Sequence, residues 1–278
     1  MPDAAHQSHP GEGEGPIAAE PSLRFVVAVP ARLQSSRLPG KVMADIGGRP
    51  MLQRVLERCA LAPTPRAVVL CTDSPALLEA AAGWGFPALL TPEQCSSGSD
   101  RIAAVVPEIV ALAGSSLGRT VILNVQGDQP FVDPAVIEAM AAEFQRCGDA
   151  AEVLTPIYRI GAEKLHNPNV VKTLVAADGR ALYFSRSAIP HVRGVEPADW
   201  AAHAPFWGHV GIYGYRAAVL RRWPCLPASP LEAIESLEQL RLLEAGITIA
   251  TFPVAGDFLS VDTAEQLQQA RALAAAAD

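Results

Sequence analysis

No apolar run in this chain approaches the roughly 20 residues of a transmembrane helix, so a membrane span is not expected. There is no C-x-x-C pair and no zinc spacing. The five cysteines (Cys59, Cys71, Cys95, Cys147 and Cys225) form an odd, scattered set. That pattern excludes a disulfide scaffold and reads as reduced intracellular thiols. Positive charge is scarce too: 22 Lys and Arg stand against 29 Asp and Glu, a net charge of −7. Nucleic-acid binders usually carry a basic surface, so no nucleic-acid partner is expected. The phosphate-binding frames G-x-x-x-x-G-K-[ST] and G-x-G-x-x-G are both missing, since Gly40-Lys41 runs on into Val42. Internal repeats are missing as well. Residues 1–22 are rich in Gly, Pro, His and Glu and lack the basic start and apolar core of a signal peptide. They are expected to be a disordered tail on a cytoplasmic protein.

What remains is material for one large α/β domain over residues 23–278. Half of the chain is hydrophobic, enough for a sizeable core. Strands are predicted at 25–29, 67–71, 87–90 and 121–125, and helices at 51–61, 75–84, 99–113 and 134–147. This alternation implies a mainly parallel sheet covered on both faces. Between residues 150 and 225 the rhythm changes to short apolar runs separated by Pro, Gly and polar clusters. A smaller mixed lobe within the same domain is expected there. Helix, strand and helix return at 231–245, 248–252 and 263–275.

In an open α/β sheet, ligands bind just beyond the carboxyl ends of the strands. Residues 30–41 follow the first strand and hold Arg32, Ser35, Ser36, Arg37 and Lys41. Arginine suits bidentate phosphate contacts and lysine supplies a compact charge. An exposed basic loop would have the same composition. Asp128 follows the strand at 121–125, beside Gly127 and before Pro130. A carboxylate held there suits a hard cation that keeps waters and phosphates as its other ligands. Gly-Asp is also ordinary turn chemistry. Asp262 precedes a helix, where it reads as an N-cap or as a second metal carboxylate. Ser97, Gly98 and Ser99 open a helix, and either cap it or meet a base or phosphate. In 231–245, Ile234, Leu237, Leu240 and Leu243 form one stripe, with Glu235, Glu238 and Gln239 on another face. Residues 207–215 read as one strand with His209, Gly211 and Tyr213 on one side. The histidine is a satisfied core residue or a polyol contact.

Taken in order, these segments resemble the 3-deoxy-manno-octulosonate cytidylyltransferases (CMP-Kdo synthetases) over residues 25–273. P-A-R-x-x-S-x-R-L-P-G-K occupies 30–41 and N-V-Q-G-D-x-P occupies 124–130. N-P-N-x-V-K lies at 167–172, A-L-Y-F-S-R-x-x-I-P at 181–190 and H-x-G-I-Y-G-Y-R at 209–216. S-P-L-E-x-I-E-x-L-E-Q-L-R spans 229–241 and V-D-T spans 261–263. The resemblance implies a Rossmann-like nucleotidyltransferase fold with a smaller sugar-binding and dimerisation lobe. It implies that CTP and Kdo give CMP-Kdo and pyrophosphate with Mg2+, activating Kdo for lipopolysaccharide synthesis in a cytoplasmic homodimer.

Residue by residue, the resemblance puts Arg32, Ser35, Arg37 and Lys41 on the CTP phosphates, with Pro30 and Ala31 also binding the nucleotide. Ser97, Gly98, Ser99 and Gln126 would surround cytosine and ribose. Asp128 and Asp262 would hold the metal and, with Arg37 and Lys41, form the catalytic set. Arg186, Arg193, His209, Tyr213, Glu238 and Gln239 would line the Kdo site. The chain departs from the family at Gln129, where glutamate is usual, at Cys95-Ser96 before the serine loop, and over the poorly matched 192–206. The alternatives are a synthetase for sialic acid or 8-amino-Kdo, or a catalytically silent binding homologue. Intact Lys41, Asp128 and Asp262 weigh against the silent homologue.

Overall fold

The computed structural model describes residues 22–34, 38–256 and 258–277. The expected N-terminal tail up to residue 21, and Ser35 and Arg37 of the first loop, lie outside the described residues. The first half runs β1 (Arg24–Ala31), β2 (Asp45–Ile46), β3 (Arg49–Pro50), α1 (Met51–Ala60), β4 (Val68–Thr72), α2 (Pro75–Gly83), β5 (Ala88–Leu90), α3 (Gly98–Ala103), α4 (Val106–Ala113), β6 (Thr120–Asn124) and α5 (Pro134–Cys147). The second runs β7 (Val153–Arg159), α6 (Ala162–Leu165), β8 (Lys172–Val175), β9 (Ala181–Ser185), α7 (Trp200–His203), β10 (Trp207–His209), β11 (Tyr213–Arg216), α8 (Ala217–Arg222), α9 (Pro230–Glu235), α10 (Leu240–Glu244), β12 (Ile249–Pro253) and α11 (Ala264–Ala277).

The described residues form a ten-stranded sheet in the order β5-β4-β1-β6-β11-β7-β10-β8-β9, with β12 also paired to β7, and a separate β2–β3 ribbon. The core strands β5, β4, β1 and β6 are parallel, as the alternating rhythm predicts. β11 then joins β6 in antiparallel register, and β7 to β10 continue the sheet. Residues 150–225, where a smaller lobe is expected, thus supply strands to the same sheet. β1 explains why both faces are covered. Alternate side chains of a strand point to opposite faces. Phe25, Val27 and Val29 enter a core with α1 and α5, while Val26 and Ala28 enter a second core with α3, α4, α8 and α10. Each of these valine and phenylalanine side chains contributes about 1.5–3 kcal/mol when fully buried. A third, smaller core places α11 on β2: Ile46, Met51, Val261, Leu267 and Ala270 are buried together.

Three predicted elements are broken. The helix expected over 99–113 is α3 and α4, because Pro107 in the first turn of α4 cannot donate to the preceding turn. The strand expected over 207–215 is β10 and β11, which turn at Gly211, where φ is +81°. That conformation is open to glycine at no steric cost. The helix expected over 231–245 stops at Ser236, which adopts φ +52°. Ile234, assigned to the apolar stripe, is 79% exposed. Tertiary contacts override helix propensity here. Arg186 donates through Nε to Glu235 O (2.8 Å) and through Nη2 to Ser236 O (3.2 Å), which holds the carbonyls at the break.

Candidate active site

β1 and β6 are parallel neighbours, so the loops leaving their carboxyl ends meet. Together with the turn before α3, the α9–α10 break and the β10–β11 turn, they surround a cleft of about 550 Å³. Pro30, Ala31, Arg32, Lys41, Ser97, Gly98, Gln126 and Asp128 line one part of it. Arg186, His209, Tyr213, Glu238 and Gln239 line the other.

Lys41 stands at the centre. Its Nζ donates to Asp128 Oδ2 at 2.7 Å, to Asp262 Oδ1 at 2.9 Å and to Val261 O at 3.2 Å. Burial alone pulls the lysine's pKa down, but Asp128 and Asp262 outweigh it and hold the ammonium above its ordinary value. Backbone pairing fixes the geometry: Val261 N donates to Asp128 O at 2.9 Å, so the two aspartate-bearing segments are tied together. The N-cap expected at Asp262 belongs instead to Thr263. Gln266 N donates to Thr263 Oγ1 (3.3 Å), while Thr263 N donates to Gln266 Oε1 (3.0 Å). This reciprocal capping box serves α11 and leaves the Asp262 carboxylate to Lys41. The T-x-x-Q spacing of Thr263 and Gln266 was the available signal.

The donor chemistry at this point fits a hard divalent cation. Two carboxylates converge on one spot beside an open polar cleft. Among the described residues no cluster of three or more His, Cys, Asp or Glu side chains could form a closed metal cage. Mg2+ takes one or two carboxylates and keeps waters and substrate phosphates as its remaining ligands.

Other expected residues fall in different places. Ser97 caps α3 by accepting from Asp100 N at 3.1 Å. Ser99 is fully buried and outside the cleft wall, with its hydroxyl 3.3 Å from that of Tyr215. As the second residue of α3 it turns inward. Arg193 is exposed and does not line the cleft. Its segment folds onto Trp200, whose Nε1 donates to Val195 O at 3.0 Å, and this carries the loop away. Glu238 faces the serine loop as well as the cleft. Its carboxylate accepts from Gly98 N (3.3 Å) and Ser99 N (3.2 Å) and so joins the α9–α10 break to that loop. Arg186 lines the cleft but spends much of its guanidinium on backbone carbonyls, including Pro168 O at 3.1 Å. Gln239 is 2% exposed, and among the described residues its Nε2 has no partner. A buried unpaired donor of this kind calls for a ligand acceptor. Gln129 donates to Val210 O at 3.0 Å, a bond that a carboxylate in its place could not make.

Asn167, Asn169, Arg101, Tyr158 and Phe258 also line the cleft and were not singled out from the sequence. Asn167 and Asn169 stood in the quoted N-P-N-x-V-K motif, which was their signal. Their loop hangs on Lys172 of the same motif. Lys172 is fully buried, and its Nζ donates to Asn167 O (3.0 Å), to Val170 O (2.7 Å) and to Arg186 O. Burial, with Arg186 nearby, pulls its pKa to about 8, so it remains charged at neutral pH. Lys172→Met removes the ammonium from all three carbonyls, and only Asn167 O keeps another donor shown here, Val170 N at 3.1 Å. Urea midpoints are expected to show a loss of about 3 kcal/mol, and an unchanged midpoint would refute the clamp.

Fold and cleft together define the class: this is a nucleotidyltransferase. The family model for cytidylyltransferases matches residues 26–249. The 3-deoxy-manno-octulosonate cytidylyltransferase of Leptothrix cholodnii is 43% identical, over 93% of this chain and 94% of its own. That of Acidobacterium capsulatum is 41% identical, over 89% of this chain and 95% of its own. A solved structure of CMP:2-keto-3-deoxy-manno-octonic acid synthetase complexed with CTP superposes with a TM-score of 0.81 at 39% identity, covering 92% of this chain and all of that one. The chain belongs to the 3-deoxy-manno-octulosonate cytidylyltransferase family.

Proposed function

We propose that this enzyme transfers CMP from CTP to Kdo, giving CMP-Kdo and pyrophosphate. One observation carries the reading: a single cleft unites Lys41, held between Asp128 and Asp262, with a wall of His209, Tyr213 and Gln239. A phosphate-directed centre therefore faces a surface suited to a polyol. The relatives' names and the related CTP complex supply the identity of the two substrates.

In this reading Arg32 and Lys41 face the triphosphate. Cytosine and ribose lie by Ser97, Gly98 and Gln126. The wall is tight there, since a Cβ at Gly98 would come within 3.1 Å of both Gln126 Oε1 and Pro30 Cγ. The anomeric hydroxyl of Kdo attacks the α-phosphorus. The new O–P bond forms as the bond to the bridging oxygen breaks, and pyrophosphate leaves. Lys41 and Arg32 stabilise charge on the departing group. Holding hydroxyl and phosphorus in line removes entropy from the barrier. Asp128 and Asp262 would hold Mg2+, which when bound neutralises triphosphate charge. Gln239 gives its unpaired amide hydrogen to an oxygen of the sugar acid. We further read the enzyme as a cytoplasmic homodimer, consistent with the exposed Leu182 on the sheet's edge strand β9. Among the described residues, no helix is long and apolar enough to cross a membrane.

Pyrophosphate release by purified protein tests the reading, with CTP or UTP paired with Kdo, 8-amino-Kdo or sialic acid. CTP with Kdo and Mg2+ is expected to exceed the other pairs by about tenfold or more in kcat/KM. No release from CTP, Kdo and Mg2+ would sink it. A faster reaction with 8-amino-Kdo or sialic acid would replace Kdo as the acceptor.

A further inference from the structure

His209 is held by a partner that no motif contains. Its Nε2 lies 2.9 Å from Thr155 Oγ1, in the middle of β7. The same hydroxyl lies 2.7 Å from Ile212 O. A carbonyl oxygen can only accept, and two oxygens at that separation require a hydrogen between them. The single proton of Thr155 is therefore committed to Ile212 O. The hydroxyl can only accept from the imidazole, so the hydrogen in the second contact belongs to His209 Nε2.

The rest of the ring follows. Burial pushes the imidazole's pKa down to about 3, so the ring is neutral near pH 7. A neutral imidazole with its hydrogen on Nε2 has a bare lone pair on Nδ1. The ring plane is fixed from two sides, by the edge of Phe184 at 5.0 Å and by Tyr213 at 5.1 Å between centroids. His209 lines the cleft, and among the described residues the hydrogen bonds of its ring end with Thr155.

We propose that Thr155 is a positioning residue that fixes His209 in the Nε2–H form, so that Nδ1 presents the sugar acid with an acceptor that takes a hydroxyl and refuses an anion. The assignment rests on the sugar side of the cleft being as proposed above. It divides the work of the wall. Donors such as Gln239 Nε2 receive oxygens without hydrogen, the carboxylate included. His209 receives a hydroxyl, and a carboxylate turned toward it would meet a lone pair. The acceptor's orientation in the cleft is thus set by one threonine outside the cleft lining.

The 15N shifts of the histidine rings, recorded on the full chain without substrates, test this directly. The His209 resonances are assigned by their loss in His209→Asn. The wild-type ring is expected to show a protonated Nε2 and an unprotonated Nδ1 at neutral pH. Thr155→Ser keeps the hydroxyl and should keep that pattern. Thr155→Val removes it and should give a mixture of tautomers. It should also raise KM for the sugar acid about tenfold while KM for CTP stays within about twofold. The opposite tautomer or an imidazolium in the wild type would overturn the proposal. So would Thr155→Val with both the ring pattern and the sugar KM unchanged. If Thr155→Val does not fold, the wild-type and Thr155→Ser spectra decide alone. The ring pattern is independent of the substrates: its presence without turnover of CTP and Kdo would sink the proposed reaction, while turnover with the other tautomer would sink only the role of Thr155.

Discussion

Asp128→Asn is expected to lower turnover by about a thousandfold or more in a chain that still folds. Asparagine keeps the shape of the side chain and removes its charge. At position 128 Lys41 loses a charged acceptor but can still donate to the amide oxygen, and it keeps Asp262 Oδ1 and Val261 O, so the centre of the cleft stays assembled. The backbone bond from Val261 N to Asp128 O is untouched. The stability cost should therefore stay near 1 kcal/mol, because the pair is only partly buried. The catalytic cost is larger because a carboxylate that places a divalent cation on a triphosphate contributes several kcal/mol to the barrier. Circular dichroism and urea unfolding check the fold, and pyrophosphate release checks turnover. Near-normal release from folded Asp128→Asn would remove the metal role from this residue. The proposed Mg2+ site also predicts that excess Mg2+ restores little in this variant, since the missing ligand is the charge itself.

The parallel half of the sheet was legible because its signals are local. β1 is a continuous apolar run ending at a proline, and alternate residues of that run fill two different cores. Asp128 and Lys41 were legible for the same reason, since each follows directly on a strand-and-loop pattern. What the sequence hid were breaks made by distant partners. Nothing in the periodicity of 231–245 reveals that Arg186, some fifty residues upstream, binds the carbonyls of Glu235 and Ser236. Yet that break is what allows Glu238 to reach the backbone of Gly98 and Ser99. The inward turn of Ser99 was hidden because a serine loop before a helix gives composition but not direction. That Arg193 stays off the cleft wall was hidden because the motifs carrying the resemblance do not reach into 192–206. Thr155 left no mark, because a threonine in a strand is ordinary β composition. Only its two contacts distinguish it.

Lys41→Met is expected to reduce turnover about a hundredfold to a thousandfold, the usual cost of losing one donor that stabilises developing charge. Its effect on the resting protein is more diagnostic. The variant leaves Asp128 and Asp262 facing each other across the place where one ammonium bound both. Their repulsion should cost about 2 kcal/mol at neutral pH. The sign with pH follows from the direction of the lysine's shift. The folded protein holds Lys41 above its ordinary 10.5, with burial opposing and the two aspartates prevailing. A base raised on folding stabilises fully below its unfolded value, and that contribution is lost as pH climbs through the folded one. Wild-type stability should thus fall above about pH 10.5 along a limb that the methionine variant lacks. If the same two carboxylates hold Mg2+, the cation should raise the melting temperature of Lys41→Met more than that of wild type in the absence of nucleotide. In the wild type, the Lys41 ammonium already bound to both carboxylates would compete for that position. Matching alkaline limbs and equal responses to Mg2+ would show that Lys41 neither neutralises the pair nor guards the metal position.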